Sequence, residues 1–138
     1  MQLTSYLTFN GDCEAAFKFY EKVLGGKIVG MSTFGDTPAC DHVPAESRNK
    51  IMHARLHVGD AVLMGSDTPS THTYEGVKGC SVAIGITDPA EADRIYAALA
   101  EKGTVTMPIQ ETFWAARFGM VVDRFGVPWM VNCEPAAA

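Results

Sequence analysis

His53, Arg55 and His57 stand two residues apart in the stretch Lys50–Val58. Imidazole exchanges protons near neutral pH, and guanidinium grips carboxylates or phosphates through a planar fork of N–H groups. In a strand, a two-residue spacing places side chains on one face. The intervening Met52, Ala54, Leu56 and Val58 are apolar. That alternation predicts a strand with its apolar face on a helix and with His53, Arg55 and His57 looking into a concavity. His53 is then a candidate ligand contact and a candidate general acid or base. The bland role is a single hydrogen bond to a ligand or neighbouring strand. His57 shares the face but adjoins the turn at Gly59.

A second group lies in the stretch Met107–Trp129. Phe113 and Trp114 are adjacent aromatics, and Arg117 shares a strand face with Phe113 and Ala115 by the two-residue period. With Phe113 and Arg117 inward, Arg117 could pair with an anionic group of a ligand. The alternatives are core or dimer packing for the aromatics and a plain salt bridge for Arg117. Trp129 reads as core or pocket wall. Asp123-Arg124-Phe125-Gly126 fits a hairpin turn. Cys40-Asp41-His42 has ligand-type side chains, but adjacent residues rarely converge on one ion, and no metal is expected there.

The chain around these residues has 138 residues, 47% hydrophobic and 20% charged, which suits one folded domain rather than disorder. A net charge of −5 argues against a nucleic-acid partner. No basic amphipathic segment, long apolar run or leader-like start points to a membrane or to export. Four scattered cysteines with no Cys-x-x-Cys pair suit reduced thiols in a cytoplasmic protein.

Strand, helix, strand, strand, strand is spelled twice. In the first half Leu3–Phe9 reads as a strand. Asp12 is positioned to cap a helix carrying Ala16, Phe17, Tyr20, Val23 and Leu24 on one side, closed by Gly25-Gly26. Strands follow at Lys27–Phe34, Lys50–Val58 and Ala61–Gly65, the last two joined by a tight turn at Gly59-Asp60. In the second half Cys80–Ile86 is a strand. Asp88-Pro89-Ala90-Glu91 opens a helix with Glu91 placed for a capping box, and Gly103 ends it. Strands at Thr104–Met107, Ala115–Val122 and Val127–Cys133 complete the unit. The expected organisation is a module over 1–67, a linker over 68–79, a module over 80–133 and a frayed tail over 134–138.

Four segments carry a resemblance. They are Tyr6-Leu7-Thr8-Phe9-Asn10-Gly11-Asp12 running into Cys13–Phe17, Phe19-Tyr20 and Leu24-Gly25-Gly26; Met52–Leu56 leading to Val62-Leu63-Met64; Thr112-Phe113-Trp114 with Arg117-Phe118-Gly119; and Asp123–Trp129. In this order they resemble the vicinal oxygen chelate superfamily of glyoxalase I, bleomycin-resistance proteins and extradiol dioxygenases, and its PhnB-like branch most of all. The resemblance implies an α+β fold of two βαβββ modules forming a curved mixed sheet around a concave pocket, and a homodimer. In the superfamily's metal enzymes, one His, Glu or Gln from each of four strands holds a divalent ion. Those positions fall here at Ser5 or Tyr6, at His53, at Ser81 or Val82, and at Met130 or Asn132. Only His53 is a ligand of the right kind, so no metal and no other cofactor is expected.

Three functions compete. A metal-free protein binding a small molecule, of identity the sequence does not name, fits the fold pattern and the missing ligands. The contacts expected for it are His53, Arg55, Phe113, Trp114, Arg117 and Trp129. A metal-dependent isomerase, thiol transferase or dioxygenase needs ligands the chain lacks. A metal-independent enzyme would use His53 in acid–base catalysis, or Arg117 electrostatically. No Gly-rich phosphate loop, nucleophile elbow or methyl-donor motif points elsewhere.

Overall fold

The computed structural model of the chain describes residues 1–38, 41 and 43–135. Cys40 and His42, of the Cys40-Asp41-His42 trio, lie outside them, as do residues 136–138. The chain divides into two compact units at Gly76 and Val77.

The first unit runs β1 (Ser5–Phe9), α1 (Cys13–Leu24), β2 (Lys27–Thr33), β3 (Ile51–Val58) and β4 (Ala61–Asp67), with a short 3-10 turn at Ala45–Ser47. Its sheet has the order β1-β4-β3-β2, parallel between β1 and β4 and antiparallel elsewhere. The second unit repeats this plan with β5 (Val82–Ile86), α2 (Pro89–Ala100), β6 (Thr104–Gln110), β7 (Arg117–Val122) and β8 (Pro128–Cys133), in the order β5-β8-β7-β6. Each unit is thus an α+β layer pair with a helix on one face of a mixed four-stranded sheet.

Helix packing decides which face of each strand is which. Against α1, the buried side chains Ala16, Phe17, Tyr20 and Val23 meet Leu7, Phe9, Ala54, Leu56 and Leu63. Burying each of the larger ones stabilises the unit by about 1.5–3 kcal/mol. Gly65 permits the approach, since a Cβ there would stand 2.8 Å from both the Leu7 carbonyl and the Phe17 ring. In the second unit Ala92, Ile95, Tyr96 and Leu99 of α2 are buried on the same side as Val121, Trp129 and Val131. Gly119 makes room for Tyr96, whose Cε2 would lie 2.7 Å from an added Cβ. The Tyr96 hydroxyl donates to the carbonyls of Met107 at 2.9 Å and Met120 at 3.3 Å, and burial raises its pKa.

Two carboxylates fasten the units from inside. Asp67, buried at the end of β4, accepts the N–H groups of Gly11 (2.9 Å) and Cys13 (3.0 Å) on Oδ1 and that of Ile51 (2.8 Å) on Oδ2. It ties the start of α1 to the start of β3, with its charge at the helix N-terminus. Asp12, the expected cap, makes no side-chain cap bond, because Asp67 reaches the first turn instead. Asp123, buried in the β7–β8 turn, accepts Phe125 N–H and Val127 N–H on Oδ1 and the Trp129 indole N–H on Oδ2, at 2.8–3.0 Å.

The ends of α2 differ partly from expectation. Asp88 accepts the Ala90 N–H at 3.0 Å with Pro89 in the first turn. Glu91 pairs with Arg94 on the helix surface rather than closing a capping box. The contact with Arg94 lowers the Glu91 pKa. β6 continues through Pro108 to Gln110, longer than predicted, as an edge strand where proline is tolerated. β7 starts only at Arg117, so Phe113 and Trp114 lie before the strand.

Candidate functional site

With the helix faces fixed, the opposite face of each sheet follows from the register. In the first unit it carries Tyr6 and Thr8 of β1, Val62, Met64 and Ser66 of β4, and His53, Arg55 and His57 of β3. Ser32 and Gly30 of β2 stand opposite His53 and Arg55. The alternation predicted for β3 is present: Ala54 and Leu56 are buried under α1, and His53, Arg55 and His57 are half-buried on the other side.

Two pairings order this face. The Tyr6 ring lies along the His53 ring, centroids 5.9 Å apart and planes 29° apart, with the phenol oxygen 3.4 Å from His53 Nδ1. Nε2 of His53 has no hydrogen-bond partner among the described residues. Two residues on, Arg55 Nε donates to His57 Nε2 at 3.0 Å. To accept that bond His57 Nε2 must be unprotonated, which leaves the ring proton on Nδ1. Tyr6 is 49% exposed and was not among the expected contacts. Its signal in the sequence is the residue-by-residue alternation of β1, which sets Tyr6 and Thr8 apart from Leu7 and Phe9.

The same positions in the second unit carry different chemistry. The matching sheet order and register align Phe118, Met120 and Val122 of β7 with His53, Arg55 and His57 of β3, and Ala83 of β5 with Tyr6 of β1. Met130 and Asn132 of β8 complete this apolar face, and the Asn132 Oδ1 is buried without a hydrogen-bond partner among the described residues. Before β7, the Thr112 hydroxyl oxygen accepts the N–H groups of Trp114 and Ala115 and the Thr112 N–H donates to the Ala115 carbonyl, forming a tight turn. That turn presents Phe113, 96% exposed, and Trp114, 45% exposed. The Trp114 ring packs edge-on against Phe113 at 4.8 Å and against Phe118 at 5.3 Å.

Arg117 and Trp129 sit on the helix face instead. Arg117 Nε bonds Asp93 Oδ1 of α2 at 2.8 Å, and an Nη reaches the Ile109 carbonyl at 3.4 Å. Its cross-strand partner Cys133 and its neighbours Gly119 and Val121 share that face. The guanidinium is therefore engaged by the fold, in the salt-bridge role weighed for it above. Trp129 is 1% exposed, and its indole N–H donates to Asp123. It belongs to the core.

The donor set does not suit the metal sites of the vicinal oxygen chelate enzymes. Those sites draw on imidazole, carboxylate or carboxamide oxygen from several strands. In the first unit the corresponding face offers His53 beside a phenol. Its second imidazole, His57, is four strand residues away, roughly 13 Å at the rise of an extended chain. Its Nε2 is already taken by Arg55. In the second unit the face offers thioethers and one amide. Among the described residues no three of His, Cys, Asp or Glu cluster as a metal would require.

Comparison with known proteins supports the architecture over nearly the full length. Protein YjdN of Escherichia coli (strain K12) is 34% identical over 141 residues, covering 96% of this chain and 95% of that protein. The crystal structure of protein PA1353 from Pseudomonas aeruginosa superposes with a TM-score of 0.90 at 53% identity, covering 97% of this chain and 98% of that one. A Bacillus cereus structure described as a putative 3-demethylubiquinone-9 3-methyltransferase, PhnB protein, shares the fold with a TM-score of 0.79 at 22% identity, covering 96% of this chain and 99% of that one. The model of the Glyoxalase/Bleomycin resistance protein/Dioxygenase superfamily matches residues 2–131, and the chain belongs to that superfamily.

Proposed function

We propose that this protein binds a small organic molecule on the sheet face that carries Tyr6, His53, Arg55 and His57, and does so without a resident metal. One observation carries the reading: from His53 onward β3 alternates so that Ala54 and Leu56 are buried on the side of α1 while three polar, half-buried side chains are presented together on the other side. Polar groups held half-buried beside an aromatic ring are what a small-molecule site uses to orient its ligand. A methyltransferase activity, as in the description of the Bacillus cereus protein, finds no methyl-donor motif in this chain to support it.

Native mass spectrometry of the purified protein tests the reading, together with amide NMR shifts on adding a library of small aromatic and polar molecules. The expected result is a co-purifying ligand or saturable shifts that cluster at Tyr6, His53, Arg55 and Met64. Shifts confined to other surfaces would overturn it.

A second reading has its own observation. His53 has Nδ1 beside the Tyr6 phenol and Nε2 available, the arrangement of an imidazole poised to exchange a proton with a bound molecule. In that reading His53→Ala abolishes turnover of a substrate that the folded variant still binds, and equal turnover removes it. Self-association is part of the proposal as well. A phenylalanine exposed as fully as Phe113, next to a half-exposed tryptophan, supports a covered surface in a homodimer.

A further inference from the structure

We infer that the ligand of this face carries an oxyanion, a carboxylate or a phosph(on)ate, and that Arg55 receives it end-on through its two Nη nitrogens. This rests on the binding reading above and adds the chemical class of the ligand.

The arginines of the chain divide by partner. Arg94 is paired with Glu91, Arg117 with Asp93, and Arg124 lies 3.9 Å from Glu101. Arg48 is on the exposed surface. Arg55 is half-buried on a central strand, and among the described residues no carboxylate lies within ion-pair distance of it. Its surroundings are basic or neutral. The face holds His53, His57, Tyr6, Thr8, Met64 and Ser66, with Lys27 opposite His57 at its rim, and no Asp or Glu. In a protein of net charge −5, this sheet face carries Arg55, with Lys27 at its rim, and no counter-charge on its own strands.

The guanidinium is also aimed. Its Nε is spent on His57 Nε2, which blocks the side-on fork and fixes the plane of the group. The two Nη nitrogens, with four N–H donors, have no partner among the described residues. Directly across the sheet stands Gly30, whose missing side chain leaves space: nothing lies within 4 Å of where its Cβ would be. A half-buried, oriented cation with unfilled donors beside an open gap calls for an anion of fork-matching geometry.

The test is amide and arginine-side-chain NMR on the full chain at constant ionic strength, with acetate, inorganic phosphate and the neutral probe benzyl alcohol. The expected result is saturable shifts at Arg55, Met64 and Gly30 with one or both anions. Arg55→Met should weaken that binding about tenfold or more while keeping a native spectrum, Arg55→Lys should fall between, and Arg117→Met should stay within about twofold. Acetate against phosphate separates the planar from the tetrahedral source. Anion binding that is unchanged in Arg55→Met overturns the inference, as does benzyl alcohol binding to the face without either anion, an outcome that leaves the small-molecule reading standing. Failure of all three probes to reach the face removes both.

Discussion

Asp67 shows how one buried side chain sets the stage for the candidate site. Its three accepted N–H groups join the loop before α1, the first residue of α1 and the first residue of β3, two positions ahead of His53. Asp67→Ala is expected to cost roughly 3 kcal/mol, because buried donors lose a charged acceptor, with Asp67→Asn milder. Urea denaturation of both variants reads the difference. Cys13, next to this carboxylate, has its thiol pKa raised, first by burial and then by the nearby charges of Asp67, Asp12 and Glu14. A raised folded-state pKa favours folding fully below the ordinary thiol range, near 8.5, and that contribution is lost as pH climbs above it. Stability should therefore fall on the alkaline side, and less steeply in a Cys13→Ala protein. At neutral pH, alkylation mapped by mass spectrometry should label the exposed Cys80 well before the buried Cys13 and Cys133.

At the scale of elements, helices sit on sheets where glycine lets them. Gly65→Ala and Gly119→Ala each force a Cβ under 3.0 Å from an aromatic ring and from backbone, and each should destabilise by about 2 kcal/mol or more in thermal or chemical denaturation. Element order and the polarity of β3 could be read from the sequence, since from Met52 to Val58 apolar and polar residues take alternate positions, and such a stretch has only one way to sit on a helix. The orientation of β7 and β8 could not. Both faces of these strands are apolar: Val121, Trp129 and Val131 on one side, Met120, Met130 and Phe118 on the other. Alternation therefore gave no vote. A two-residue count from Phe113 sets Arg117 on its face, and the Thr112 turn breaks that count before the strand begins. The Asp67 clamp was beyond reach for a different reason, since its partners lie up to 56 residues away and no local pattern announces them.

For the molecule as a whole, two copies of one βαβββ plan have kept their helix-facing chemistry and parted on the other side. One copy turned polar and basic, the other apolar and rich in methionine. Two expectations belong at this scale. Treatment with a chelator is expected to leave the melting temperature and any ligand binding unchanged, because among the described residues no three of His, Cys, Asp or Glu cluster. A drop in either after chelation would restore metal chemistry to consideration. Sedimentation of the purified chain should show a dimer, weakened by Phe113→Ser, and a monomer at all concentrations would remove the self-association proposal. The two-residue period of β3 from His53 onward has a further consequence. Because odd and even positions answer to different masters, substitutions at 53, 55 and 57 leave the residues beneath α1 untouched. The strand can be rewritten for a new guest without renegotiating its foundations, so in laboratory selection for altered ligands, accepted changes should accumulate on alternate residues and spare those between.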